Sequence, residues 1–143
     1  MSEVALWEEF DLAHRSVVRQ LDRVLEREHD LSLHGFELLS ALASATGTAK
    51  RLRMSDLAAR LQLTPSGVTR LVERLEADGS VTRLKDNADR RVVHAQLTTR
   101  GAARVTAVAE TYGVTARALL SEYFSDGERH DLGHALGVPS TTR

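Results

Sequence analysis

Arginine is the residue whose placement in this sequence suggests chemistry, and its chemistry is the recognition of anions. Between Lys50 and Arg104 stand twelve basic side chains against six acidic ones, a local net of +6, whereas the whole 143-residue chain carries −1, so the flanks carry −7. A basic surface attracts polyanions, and acidic flanks discourage indiscriminate association. Charge also varies along any chain by chance, so the motifs must decide. Arg83, Lys85, Arg90 and Arg91 crowd one short stretch, where they repel one another unless an anion comes close.

Other chemistries are poorly represented. There is no phosphate-binding glycine loop and no nucleophile-and-base spacing, and the carboxylates are spread over helix surfaces, so no enzyme is expected. The absence of cysteine removes disulfides, thiolate metal sites, cysteine nucleophiles and thiol-based redox sensing together. His130 and His134 stand at i, i+4 and can share one helix face, but two imidazoles are not a metal site, and neither metal nor cofactor is expected.

The elements that must position the arginines read mainly as helices. Trp7, Phe10, His14, Val17, Leu21 and Val24 alternate spacings of three and four, a long first helix ending near Glu28 to Asp30. Ser32 caps a second helix with Phe36, Leu38, Leu39 and Leu42 inward and Gly47 as its stop, followed by a loop of small and basic residues. Ser55 is expected to cap a short third helix carrying Leu57, Ala58 and Leu61. Thr64 caps a fourth, with Pro65 at its first position and Gly79 at its close. The period then changes to two over Val93, Ala95 and Leu97. With Val81 to Lys85 as partner and Asp86 to Arg90 as tip, this is a β-hairpin. Thr98 caps a fifth helix with a seam of Ala102, Val105, Ala109, Tyr112, Ala116, Leu119 and Tyr123. A last helix spans about Asp126 to Leu136, and 138–143 reads as a frayed tail.

Helix, turn, helix and basic hairpin is an order suited to docking on DNA. In the fourth helix Val68, Leu71, Val72 and Leu75 form the buried stripe, leaving Ser66, Thr69, Arg70, Glu73 and Arg74 outward. Such a helix enters the major groove N-terminus first, where arginine bonds both O6 and N7 of guanine. Arg70 is placed for that contact, Ser66 and Thr69 are small enough to let the helix sit deep, and Thr64 and Pro65 at its start are further candidate DNA contacts. Arg74 faces phosphate. The bland alternative is a solvated face pairing with Glu73 and Asp78. Arg83, Arg90 and Arg91 on the hairpin suit the narrow minor groove, with Asp89 expected to hold Arg90 extended.

The stretches Leu52–Leu61, Val68–Gly79, Asp86–Arg91 and Leu97–Gly101 resemble the MarR (multiple antibiotic resistance regulator) family of bacterial transcription factors, over nearly the whole chain. The resemblance implies a mainly α fold with a small β-hairpin wing (α+β): a winged helix-turn-helix with a helical dimerisation region from both termini. It implies a homodimeric regulator, commonly a repressor, that binds a palindromic operator on double-stranded DNA and is released by a small aromatic or phenolic effector. Arg70 falls where the family places its major-groove arginine, and Arg90 where a wing arginine enters the minor groove. Two departures stand out: Ser80 occupies a position that is commonly hydrophobic, and Asn87-Ala88 replaces a more usual proline-containing tip. An effector would sit between the dimerisation helices and the winged region, near Trp7, His14, His34 and Tyr112.

Residues 1–30 and 98–137 are therefore expected to form the dimerisation helices and 31–97 the winged region. Two-fold symmetry then requires half-sites about one helical turn, roughly 10 base pairs, apart. An apolar content of 42% with 27% charge fits a soluble globular chain, no apolar run approaches a membrane span, and the N-terminus lacks a basic signal region, so a cytoplasmic protein is expected. The competing reading is a winged-helix protein-interaction module without sequence-specific DNA binding.

Overall fold

In the computed structural model, which describes residues 1–139, the chain follows the order α1 (Glu3–His29), α2 (Leu33–Ala43), β1 (Arg51–Arg53), α3 (Met54–Leu61), α4 (Pro65–Ala77), β2 (Val81–Lys85), β3 (Val93–Leu97), α5 (Thr99–Tyr123) and α6 (Asp126–Ala135). The core forms around α2, which packs against α1, α3, α4, α5 and β3. Its Leu38, Leu39 and Leu42 are fully buried and meet Leu25 of α1, Leu57 of α3, Val68, Val72 and Leu75 of α4, and Val108 of α5. Truncating any of these leucines to alanine costs about 2–5 kcal/mol, the transfer term plus the cavity left behind.

Local signals set most boundaries. The Ser32 hydroxyl accepts from the Gly35 amide, Thr64 from Gly67 and Thr98 from Gly101, so each satisfies an orphan donor of the helix it opens. Asp30 closes α1 in the left-handed region at φ 51°, and Gly79 turns the chain out of α4 at φ 82°. Ser125 and Glu128 form a reciprocal capping box at α6.

Four expectations change. The segment read as a loop contains β1, which pairs antiparallel with β3 (Leu52 opposite Ala95), giving a three-stranded sheet in the order β1-β3-β2. Three residues reading Arg-Leu-Arg carry too little periodicity to announce a strand. Because β1 runs straight into α3, Arg53 takes the N-cap position and Ser55 lies inside the helix. Helix α2 stops at Ala43, and Gly47 sits in the following loop. The inward face of α5 departs from the expected seam only toward its start: Gly101 and Val108 are buried in place of Ala102 and Ala109, which are exposed, while Leu119 is buried and Val105, Tyr112 and Ala116 are half-buried.

Gly101 explains the last difference. A Cβ there would lie 2.1 Å from the Ser80 carbonyl oxygen, so the start of α5 seats directly on the turn after α4 through a residue without a side chain. In α1, Leu21 and Leu25 are buried, whereas Leu6, Trp7, Phe10 and Leu12 stand exposed. At the other end, the Val138 amide donates to the Gly133 carbonyl at 2.9 Å; most of the tail expected at 138–143, residues 140–143, lies outside the described residues.

Candidate nucleic-acid interface

The outward face of α4 is built by its cap. Thr64 Oγ1 accepts from the Gly67 amide at 3.0 Å and lies 3.2 Å from Ser66 Oγ, and Thr69 Oγ1 donates back to the Pro65 carbonyl at 2.9 Å. The short polar side chains are thus folded onto the helix backbone, and Arg70 and Arg74 project beyond them, both exposed. Among the described residues neither guanidinium makes a hydrogen bond or ion pair. The acids that might have masked them are engaged elsewhere: Glu73 lies 3.7 Å from Arg83 Nη1, and Asp78 is bound by Arg104 at 2.6 Å. Two unpaired guanidiniums one turn apart on the exposed face of a helix, Arg70 in its middle and Arg74 in its last turn, make a surface suited to an incoming anion.

The wing sorts its arginines into different jobs. Arg83 donates through Nε and Nη2 to Glu76 Oε1 at 3.1 and 2.9 Å, and its backbone amide donates to Glu76 Oε2 at 3.0 Å. These bonds hold the Glu76 carboxyl below its ordinary pKa. Arg83, expected among the DNA contacts, therefore fastens β2 to α4.

At the tip, Asp89 holds Arg91 and not Arg90. It accepts from the Arg91 amide at 3.1 Å, from Nε at 3.1 Å and from Nη2 at 3.0 Å, while the Arg91 side chain stays 91% exposed. The reason is turn geometry. Asp86 accepts from the amides of Ala88 and Asp89 at 2.8 and 3.1 Å, and the Val92 amide returns to the Asp89 carbonyl at 2.9 Å. In this bend the residue two positions after Asp89 presents both its amide and its side chain to one carboxylate. Both aspartates are depressed below their usual pKa, Asp89 chiefly by the Arg91 side chain and Asp86 chiefly by the Asp89 amide. Two aspartate-centred turns thus order a tip that has no proline. Arg90 is exposed and, among the described residues, makes no hydrogen bond or ion pair.

One residue not singled out by sequence belongs beside these. Arg53, at the end of β1, shares a recess of about 430 Å³ with Ser55, Thr69, Arg83 and Arg91, between α4 and the wing, and its charge acts on Asp86 and Asp89. The signal was its place at the end of a strand that the sequence did not disclose.

The candidate effector residues do not converge. His14 and His34 line one groove of about 340 Å³ with Val18 and Leu33. Trp7 lies a turn away in a ladder with Phe10 and His14, and Tyr112 packs on Phe36 at 4.8 Å between ring centroids. His34 also lies 3.2 Å from Glu37. His130 and His134 are exposed on α6, and among the described residues no group of three metal-ligating side chains occurs.

Residues 29–92 match the family model described as MarR family. The chain is 33% identical over 119 residues to the HTH-type transcriptional regulator PecS of Dickeya dadantii (strain 3937), covering 83% of this chain and 70% of that protein. The chain belongs to the MarR family. Solved MarR-family regulators from Streptomyces coelicolor share its fold. AbsC superposes with a TM-score of 0.80 at 26% identity, over 94% of this chain and 88% of that one. Sco3205, solved in complex with DNA, superposes with a TM-score of 0.83 at 27% identity, over 96% of this chain and 89% of that one. This MarR-family chain is a transcriptional regulator, as its relatives are, and not an enzyme. No helix among its described residues is long and apolar enough to cross a membrane.

Proposed function

We propose that the chain acts in the cytoplasm as a homodimeric repressor that reads a palindromic operator. In this reading 31–97 is the DNA-binding region and 1–30 with 98–137 supplies dimerisation. Arg70 reads guanine in the major groove, Thr64, Pro65, Ser66 and Thr69 permit close approach, Arg74 meets phosphate, and Arg90 and Arg91 enter the minor groove. The observation that carries it is selective neutralisation: Arg83 and Arg104 are consumed by acids, whereas Arg70 and Arg74 stand unpaired on one capped helix beside an ordered wing tip. The exposed apolar side chains Leu6, Phe10 and Leu12, which line a groove with Tyr123 of α5, support a second copy as its cover. A small aromatic or phenolic effector would release the operator, and the His14–His34 groove is the place where two of the expected residues meet.

The test is selection from a library of about 30 random base pairs at about 0.15 M salt, where non-specific phosphate contacts are already weakened. Enrichment of one palindrome with half-sites roughly 10 base pairs apart is expected. Flat affinity across unrelated duplexes, from dimeric protein without bound effector, would sink this reading and favour a winged-helix protein-interaction module.

A further inference from the structure

We infer that Arg104 is a positioning residue that latches α4 to the frame formed by α1 and α5, and so sets the angle at which a dimer presents its two copies of α4. As a statement about DNA this rests on the operator reading above. As a statement about the protein it stands on the geometry of one guanidinium.

Arg104 belongs to the basic stretch, yet it points inward. Its side chain is only 16% exposed. Nη1 donates to Asp78 Oδ2 at 2.6 Å and to Ser80 Oγ at 3.0 Å. Nη2 donates to the carbonyls of His29 and Asp30 at 3.2 and 3.1 Å, the oxygens left without partners where α1 ends. One planar group on α5 therefore ties the C-terminus of α1 to the C-cap of α4. The helix-end carbonyls and the carboxylate both favour a cation there.

Ser80 gives the arrangement its meaning. It is fully buried, its hydroxyl donates to Asp78 Oδ1 at 2.5 Å, and its amide donates to the same oxygen at 3.0 Å. The resemblance led us to expect a hydrophobic side chain at this position. A hydroxyl there is satisfied only because Asp78 accepts its proton and Arg104 donates to its oxygen. The atypical serine in the core and the inward-facing cation of α5 are thus partners in one network. An apolar contact would allow sliding, whereas a forked guanidinium fixes direction as well as distance. Thr98 adds a second tie, donating to the carbonyls of Gly79 and Ser80 at 2.6 and 2.9 Å, but it joins only α5 to that turn. Arg104 brings in α1. Elsewhere α4 packs mainly on α2, α3 and β2.

The experiment compares wild type with Arg104→Met, which keeps most of the stem and removes every hydrogen bond. The first readout is DNA-free. The sequence has no cysteine, so Ala77→Cys on the exposed end of α4 gives one spin-label site per protomer and one distance per dimer. Wild type should give a narrow distance distribution and Arg104→Met a broad one. The second readout uses the duplex enriched by wild type and versions with one or two base pairs inserted at its centre. Arg104→Met should bind the parent duplex about tenfold more weakly, within the usual range for coupling between separated sites, and should lose discrimination among spacings. Its salt slope should not change, because Arg104 meets no phosphate. Should Arg104→Met fold poorly, Ser80→Ala removes one arm of the latch and should shift both readouts the same way to a smaller extent. A narrow distribution with spacing discrimination intact overturns the inference, even if the melting temperature falls. A broadened distribution in a protein whose wild type enriches no duplex supports the latch and overturns the operator reading.

Discussion

The winged region and the outer ends of the long helices treat their surfaces in opposite ways. From α4 to the end of the wing the acids are committed to an arginine or a backbone amide: Glu73 and Glu76 to Arg83, Asp78 to Arg104, Asp89 to Arg91 and Asp86 to its own turn. Among the described residues, the unpaired charges left exposed on α4 and the wing are cationic: Arg70, Arg74, Lys85 and Arg90. At the ends of α1 and α5 the exposed groups instead include large apolar side chains, with Trp7 63%, Leu12 59%, Phe10 52% and Tyr123 42% accessible. The first surface is finished within one chain and awaits a charged partner. The second holds a hydrophobic face that nothing among the described residues covers, which is the condition of half an interface.

The comparison breaks most visibly if the second surface is given a charge. Phe10→Asp should lose the dimer and operator binding together, a cost of at least about 2 kcal/mol at a central aromatic position. Sedimentation and duplex titration would check both, and a tightly binding monomer would contradict the scheme. Tyr112 and Val105, which the seam of α5 would have suggested, are poorer choices. Tyr112 packs on Phe36 and both lie against the core, so a charge there would damage the fold first.

Next in size is Arg70→Ala, expected to remove about 1–3 kcal/mol of discrimination for the enriched duplex while leaving binding to unrelated DNA much less changed. Anisotropy titrations against both duplexes give the answer. A smaller effect separates the two tip arginines. Arg91→Ala should weaken the enriched duplex more than Arg90→Ala, because Asp89 has already restricted the Arg91 side chain before any partner arrives. Equal losses would mean that the ordering contributes nothing to binding.

The smallest effect is on pH. The Asp89 carboxyl is held below its ordinary pKa by Arg91, so the folded tip binds fewer protons than the unfolded chain through the usual aspartate range. Its contribution to order is therefore fully present above the unfolded pKa and is lost as pH falls through the depressed value. Arg91 Nε–H resonances should stay constant between pH 6 and 8, on the order of the physiological range, and lose their bonded shift only in acid. A transition near neutrality would assign the tip to a different titrating group.

Much of this organisation was legible because its causes are local. Thr64-Pro65 and Thr98 open helices by side chains within three residues of the amides they satisfy, and the alternation of Val93, Ala95 and Leu97 needs no distant partner to be read. The misread features depend on tertiary context. β1 exists because β3 has a free edge, and three residues could not say so. The inward face of α5 runs through Gly101, which has no hydrophobic signature and packs because it has no side chain. Arginines look alike in a charge count. Only the fold shows that Arg83 braces the wing, that Arg104 faces the interior and that Asp89 reaches Arg91 past its neighbour.

The placement of β3 between β2 and β1 has a mechanical consequence. A two-stranded hairpin would swing as a hinged arm about its base. Here the inner edge of the arm is stitched to Arg51–Arg53, and that strand passes without a linker into Met54 at the head of α3. A load applied at Arg90 or Arg91 is resisted along its length and delivered as torque to the helix that supports α4. The wing and the helix pair therefore bend as one stiff lever, and whatever grips the tip also grips the orientation of the reading head.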